Sequence, residues 1–273
     1  MSRISQCFEN LKADGQTALI PYVTAGDPEP WVTVPLLHAL VDAGADIIEL
    51  GIPFSDPMSD GPVIQKACER ALKNDVNIKH VLDMVKKFRE KNSDTPIVLM
   101  GYANPIEAIG YEKFAELAKQ AGVDGVLTVD VPPEESTEFR TIMDANGIDT
   151  IYLVAPTTSA ERMATIASFA RGFIYYVSIK GVTGAAALDI AEVSEKMAQL
   201  RELTTLPLGV GFGIRDGKSA AAVSEIADAV VVGSTLVRCI EEHAERMDEL
   251  PAAVAGLLAE MRHAINARDL ASA

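Results

Sequence analysis

The sequence predicts an α/β protein folded as a single (β/α)8 TIM barrel over residues 1–273, with an extra N-terminal helix and extra helices after strands two and eight. Three observations lead there. Eight short runs rich in Val, Ile and Leu recur along the chain, each followed by a helical pattern. The runs are continuous instead of alternating, as a parallel sheet buried on both faces requires. No linker interrupts them, and a barrel of this kind commonly takes roughly 250 residues as one domain.

Taken in order, MSRISQCFENLKADG reads as a short amphipathic helix without the apolar core of a signal peptide. ALIPYVTAGDPEP gives a first strand ending at Thr24-Ala25-Gly26, with Asp27 and Pro28 opening the next turn. Trp31 to Gly44 is helical, and Asp46 to Ile52 is the second strand. A helix end then feeds directly into a strand in AGADIIELGIP, AGVDGVLTVDVPP, ANGIDTIYLVAP and EIADAVVVGS, each time through a short connection containing Asp. TPIVLMGYANP, GFIYYVSIKG and LPLGVGFGI supply the remaining strands. Val63 to Asn74 and Val76 to Asn92 are two helical stretches after strand two, and Thr235 to Ala273 holds the closing helices, a short one first. The rival is an open doubly wound sheet. Against it, no dinucleotide-type glycine fingerprint opens the first helix, and special residues follow many strands instead of one crevice.

Composition narrows the function. With 24 Lys+Arg against 39 Asp+Glu the formal charge is -15 and no basic run occurs, which argues against nucleic acid and anionic membranes as partners. Apolar windows are strand-length, short of the ~20 residues of a membrane helix, so a cytoplasmic protein is expected. Cys7, Cys68 and Cys239 lie far apart without metal spacing and read as free thiols. His38, His80, His243 and His263 all fall in helical segments, away from strand ends, so no metal site is expected.

In such barrels chemistry belongs at the C-terminal strand ends. There the segment IIELGIPFSDPMSDGP carries Glu49 inside a strand, then Asp56 and Asp60 in a loop stiffened by Pro53, Pro57, Gly61 and Pro62. A carboxyl among Ile47, Ile48 and Leu50 should have its pKa raised by desolvation, which suits proton exchange near neutrality. Asp60 is expected to stay ionised and hold a substrate N–H or O–H, facing Glu49 across the substrate; the bland alternative is a turn-forming Asp before Gly61. Gly211-Phe212-Gly213 ends strand seven and Gly233-Ser234 ends strand eight, the usual barrel cradle for a phosphate, to which Gly184 adds a third N–H. Tyr175 is either core packing or direct chemistry. The Gly/Ala-rich loop Lys180 to Asp189 reads as a lid with Thr183 as its polar contact. Lys180 opens a competing Schiff-base reading, against which stands its place beyond the strand.

ELGIPFSDPMSDGP, GYANP, DVPPEES, GVTG and GFGI together closely resemble the tryptophan synthase alpha family, from Cys7 to the last helix. The resemblance implies retro-aldol cleavage of indole-3-glycerol phosphate to indole and glyceraldehyde 3-phosphate, with Glu49 as general acid/base, Asp60 holding the ring N–H and Tyr175 and Thr183 in support. It implies an indole pocket of Tyr22, Ile64, Met100, Leu127, Leu153, Phe212 and Val232, and phosphate contacts at Gly184, Gly213, Gly233 and Ser234. It also implies a pyridoxal-phosphate beta subunit as partner in an alpha2beta2 tetramer, with no cofactor in this chain. The docking side falls on the loops Pro53 to Met58 and Tyr102 to Gly110, with Pro53, Asp56, Pro57 and Asn104 as contacts. Members often have Ala where Ser59 stands and Arg-Ala where Ile179-Lys180 stand. Two alternatives remain beside this reading: a stand-alone lyase releasing free indole, and a non-catalytic activating subunit.

Overall fold

The computed structural model describes residues 2–178, 190–211 and 213–272. After helix α1 (Arg3–Ala13), strands β1 (Ala18–Thr24), β2 (Ile48–Gly51), β3 (Ile97–Gly101), β4 (Gly125–Thr128), β5 (Asp149–Val154), β6 (Ile174–Val177), β7 (Leu208–Gly211) and β8 (Ala229–Val232) form a closed parallel barrel in sequential order, β8 pairing back onto β1. Around it run α2 (Pro30–Asp42) after β1, α3 (Pro62–Leu72) and α4 (Ile78–Arg89) after β2, and α5 (Ala103–Glu107) and α6 (Tyr111–Ala121) after β3. Then come α7 (Thr137–Ala145), α8 (Ala160–Phe169), α9 (Ile190–Arg201) and α10 (Gly217–Ser224), followed by α11 (Ser234–Glu242) and α12 (Leu250–Ser272) after β8. The expected extra helices are all present. The short α5 and a 3-10 turn at Pro133–Glu135 are additions that sequence did not reveal. Pro105 sits in the first turn of α5, where a missing N–H costs nothing.

Alternation divides the strand residues into two layers. Ala18, Ile20, Ile47, Val98, Leu127, Ile151, Phe173, Tyr175, Ala229 and Val231 pack together inside the barrel. Their neighbours Leu19, Ile48, Leu50, Leu99, Val126, Val154, Val210, Val230 and Val232 pack outward against the helices. That double burial explains the continuous apolar runs. Ile4, Phe8 and Leu11 of α1 join the interior cluster, with Phe8 against Phe173 at 5.8 Å between ring centroids, so α1 closes the N-terminal end of the barrel.

The Asp of the helix-to-strand junctions has a structural reason. Asp46 donates its N–H to the Leu19 carbonyl at 3.0 Å, and its carboxylate accepts the Leu19 N–H at 2.8 Å. Asp124 makes the same reciprocal pair with Ile97 at 2.9 and 2.8 Å, and Asp228 with Leu208 at 2.9 and 2.8 Å. Each clasp joins an odd strand to the next even one, and each carboxylate also meets an arginine: Arg262, Arg89 with Arg3, and Arg201 respectively. At the β5–β6 seam Arg171 takes the equivalent place; its N–H reaches the Thr150 carbonyl at 2.9 Å, but a guanidinium cannot accept the return bond. Asp149, from the remaining junction of the repeat, belongs to a different seam, and its carboxylate accepts from Ser2 at 2.6 Å.

Candidate active site

Glu49 lies on β2 between Ile48 and Leu50, both of which face outward, so its side chain enters the barrel. It pairs in register with Tyr22 of β1 and Val98 of β3. Its side chain is buried and Oε1 has no hydrogen-bond partner. Burial first, and the nearby Asp60 charge second, push the Glu49 carboxyl up to about 8. An unpartnered buried acid that stays protonated at neutral pH is a proton donor waiting for an acceptor.

Asp60 is buried as well, contrary to a simple loop position. The β2–α3 loop folds back on itself, with Asp60 N–H to the Pro57 carbonyl at 3.0 Å and the Gln65 side chain to the Asp60 carbonyl at 2.9 Å. The Tyr102 hydroxyl donates to Asp60 Oδ2 at 2.9 Å and accepts the Ser59 N–H at 3.0 Å, while its ring stacks on Phe54. Desolvation pushes Asp60 above its ordinary value, and the Tyr102 hydrogen bond pulls it back. Sequence reasoning missed Tyr102. Its signal was present in GYANP: an aromatic with a polar tip immediately after a strand end, where a buried hydroxyl needs a partner.

Tyr22 and Tyr175 lie across the mouth, each over a glycine of a nearby strand. A Cβ on Gly51 would collide with the Tyr22 hydroxyl, and one on Gly211 with that of Tyr175. These two glycines are therefore the space the rings occupy. The Tyr22 hydroxyl pairs with Thr24 Oγ1 at 3.2 Å. Burial, then the charges of Glu49 and Asp60, push Tyr175 well above its ordinary value, so its neutral hydroxyl sits within electrostatic reach of both acids.

The apolar wall is nearly as expected. Tyr22 and Ile64 cluster with Met100, which also touches the interior cluster of Leu127, Leu153 and Tyr175. Val232 is a correction. It pairs with Pro21 on the outward register and packs among the barrel-facing helix residues, whereas Val231 beside it points inward. A run of three valines gives no alternation by which to read the face, so the expectation slipped by one residue.

Opposite the acids, β7 and β8 end in open backbone. Gly213 adopts φ 81°, and Gly233 precedes α11 without any side-chain cap on the helix. Thr235 Oγ1 donates to the Ile214 carbonyl at 2.7 Å and fastens the two strand ends together. The neighbouring α10 has one of its leading N–H groups, that of Ser219, taken by the Asp216 carboxylate. The first turn of α11 is left to face an anion.

A model of the tryptophan synthase alpha chain family matches residues 8–266. The chain belongs to this family. The tryptophan synthase alpha chain of Thioalkalivibrio sulfidiphilus is 60% identical over 266 residues, covering 97% of this chain and all of that one. That of Chromobacterium violaceum is 63% identical over 241 residues, 88% of this chain and 91% of the relative. Among solved structures, tryptophan synthase subunit alpha from Legionella pneumophila superimposes with a TM-score of 0.91 at 47% identity, covering 98% and 99% of the two chains. A chain of the tryptophan synthase a2b2 complex from Pyrococcus furiosus gives 0.82 at 40% identity, covering 90% and 98%.

For a tryptophan synthase alpha chain, the face around the β2–α3 and β3–α6 connections carries a second expectation. Asp56 and Asn104 are exposed, Pro57 is half-buried and Met58 stands out at 81% exposure. Pro53 is buried within the chain, two residues past the end of β2. The segment around Asn104, expected as loop, is helix α5. Thr183, Gly184, Phe212, Ile179 and Lys180 fall outside the described residues. Among the described residues, no group of three His, Cys, Asp or Glu side chains is arranged to hold a metal, and no helix is long and apolar enough to cross a membrane.

Proposed function

We propose that Glu49 and Asp60 carry the cleavage of indole-3-glycerol phosphate to indole and glyceraldehyde 3-phosphate. The observation that supports it best is the buried, unpartnered Glu49 carboxyl, pushed up to about 8 beside a second acid. As the acid, Glu49 delivers its proton to the ring carbon that bears the glycerol chain. Asp60, as carboxylate, accepts the ring N–H and stabilises the cationic indoleninium so formed. The glycerol hydroxyl next to the ring then gives up its proton to the Glu49 carboxylate. The carbon–carbon bond breaks, its electrons return to the ring, and the hydroxyl carbon becomes the aldehyde. Glu49 ends as it began.

The rest of the site serves binding. Tyr22, Ile64, Met100, Leu127, Leu153 and Val231 offer apolar walls to the ring. Tyr175 holds its position over Gly211 and limits where the Glu49 carboxyl can turn. Gly213, Gly233 and Ser234 take the phosphate, with Gly184 and Thr183 expected to complete the enclosure. A beta subunit carrying pyridoxal phosphate receives the indole, in an alpha2beta2 assembly whose alpha contacts include Asp56, Pro57 and Asn104. The chain works as one barrel domain in the cytoplasm.

Indole release by the purified protein and by Glu49→Gln, each with and without a beta subunit, tests this reading. Wild-type cleavage that is lost in the variant and rises with the beta subunit supports all of it. Undiminished cleavage by Glu49→Gln removes Glu49 from the mechanism. No response to the beta subunit leaves the stand-alone lyase.

A further inference from the structure

The two ends of the proposed substrate are held by two different helices. The loop carrying Asp60 runs straight into the N-terminus of α3, and the Gly233-Ser234 cradle forms the N-terminus of α11. At the opposite ends of these helices lies an ion cluster that the mechanism does not use. Asp27, buried just beyond β1, receives Arg70 of α3 through two parallel bonds, Nε to Oδ1 at 2.6 Å and Nη2 to Oδ2 at 2.9 Å. The remaining amino group, Nη1 of Arg70, reaches Glu241 of α11 at 3.3 Å, and Lys66 of α3 meets the same carboxylate at 3.6 Å. Between the cluster and the mouth, Ala67 and Cys68 of α3, Val237 of α11 and Tyr22 of β1 share one apolar contact.

We propose that Arg70 is a positioning residue, a strut between α3 and α11 that sets the span from Asp60 to the phosphate cradle to the length of one ring-plus-phosphate substrate. Geometry assigns the parts. The bidentate pair with Asp27 fixes the guanidinium plane relative to β1, so its third edge points in one direction only. Glu241 then ties α11 to that fixed point. Neither helix alone is oriented by the strut; their separation is. A ligand that touches only one end gains nothing from it, whereas a ligand that bridges both ends gains the full benefit of a preset distance.

The inference rests on the proposed reaction, and the test separates the two. Arg70→Ala would leave Asp27 buried without a partner and risks misfolding. Glu241→Gln removes only the α11 leg and keeps the Asp27–Arg70 pair. Three quantities are read for wild type, Glu241→Gln and Arg70→Lys: KM and kcat for indole-3-glycerol phosphate, and the dissociation constant of glycerol 3-phosphate, which carries the phosphate without the ring. In Glu241→Gln, KM rises about three- to tenfold, while kcat and glycerol 3-phosphate affinity stay within about twofold of wild type. Arg70→Lys keeps the charge, loses the fork, and shows the same split more strongly. An unchanged KM in both variants overturns the strut. Equal losses for substrate and glycerol 3-phosphate also overturn it, since general loosening of the cradle would then be the cause. A wild type that binds glycerol 3-phosphate but cleaves nothing overturns the reaction on which the strut depends.

Discussion

At the residue scale, two buried acids sit together with different neighbours. Glu49 has no hydrogen bond to its Oε1 and is pushed up to about 8, whereas Asp60 is steadied as a carboxylate by the Tyr102 hydroxyl. In the proposed reaction the acid form of Glu49 starts the cleavage, so kcat/KM should fall with unit slope as pH rises through about 8. The same proposal assigns the acid limb to Asp60. Tyr102→Phe deletes a bond that lowers the Asp60 pKa, so that limb should move to higher pH while the alkaline limb stays; a pH–rate profile of the variant reads both. Stability carries the same signature. Glu49 ionises near its ordinary 4.5 when unfolded and near about 8 in the barrel, so its contribution is full below pH 4.5 and is lost as pH rises through about 8. Glu49→Gln should therefore unfold at higher denaturant than wild type at pH 9, by on the order of 5 kcal/mol, and show little gain at pH 4.5. Chemical denaturation at the two values checks it; an equal gain at both would remove ionisation as the cause. Glu49 was legible because an acid in an apolar strand has few reasons to be there. Tyr102 was not, because its partner is 42 residues away and nothing local marks the pair.

At the element scale, the barrel repeats one joint. Asp46, Asp124 and Asp228 each lock the start of one strand to the start of the next, and each is also met by arginine. The repeated Asp was visible in sequence, but its bonding was not, because the return bond comes from the previous strand and the guanidinium from a helix elsewhere. The same limit hid the Asp27–Arg70–Glu241 cluster, whose members lie on three separate elements. The three aspartate joints lie at the strand starts, the end of the barrel away from the acids. Asp124→Asn weakens the pairs with Arg3 and Arg89 at once, and should cost about 3–5 kcal/mol of stability while leaving kcat within about twofold. Urea unfolding and turnover at a temperature where the variant is folded measure the two; a matched loss in kcat would tie the joint to the site. At the other end the glycines decide. Gly51→Ala drives a methyl group into the Tyr22 hydroxyl beside Glu49, and should lower kcat/KM about a hundredfold. Adding Tyr22→Phe removes the colliding oxygen and should restore part of the loss; no recovery would place the damage elsewhere.

At the scale of the whole molecule, the chain separates what it must do alone from what it does with a partner. The closed barrel, sealed below by α1, needs no second chain to bury its core. The chain carries a formal charge of -15, and Met58 stands 81% exposed on the β2–α3 loop. Met58 also sits two residues before Asp60, on a loop whose tip is bonded back through Pro57 and Ser59 to the Asp60–Tyr102 pair. A partner that covers Met58 would desolvate the tip and restrain the carboxylate behind it, which gives beta-subunit docking a physical route to turnover without entering the site. Met58→Ala removes apolar contact and adds no charge. It should weaken beta-subunit affinity about tenfold, as read from the beta concentration at half-maximal activation. Turnover without the beta subunit should stay within about twofold, and activation at saturating beta should be largely preserved. If unassisted turnover falls as far as the affinity does, Met58 supports the loop instead of the docking surface, and the exposed face must be sought around Asn104.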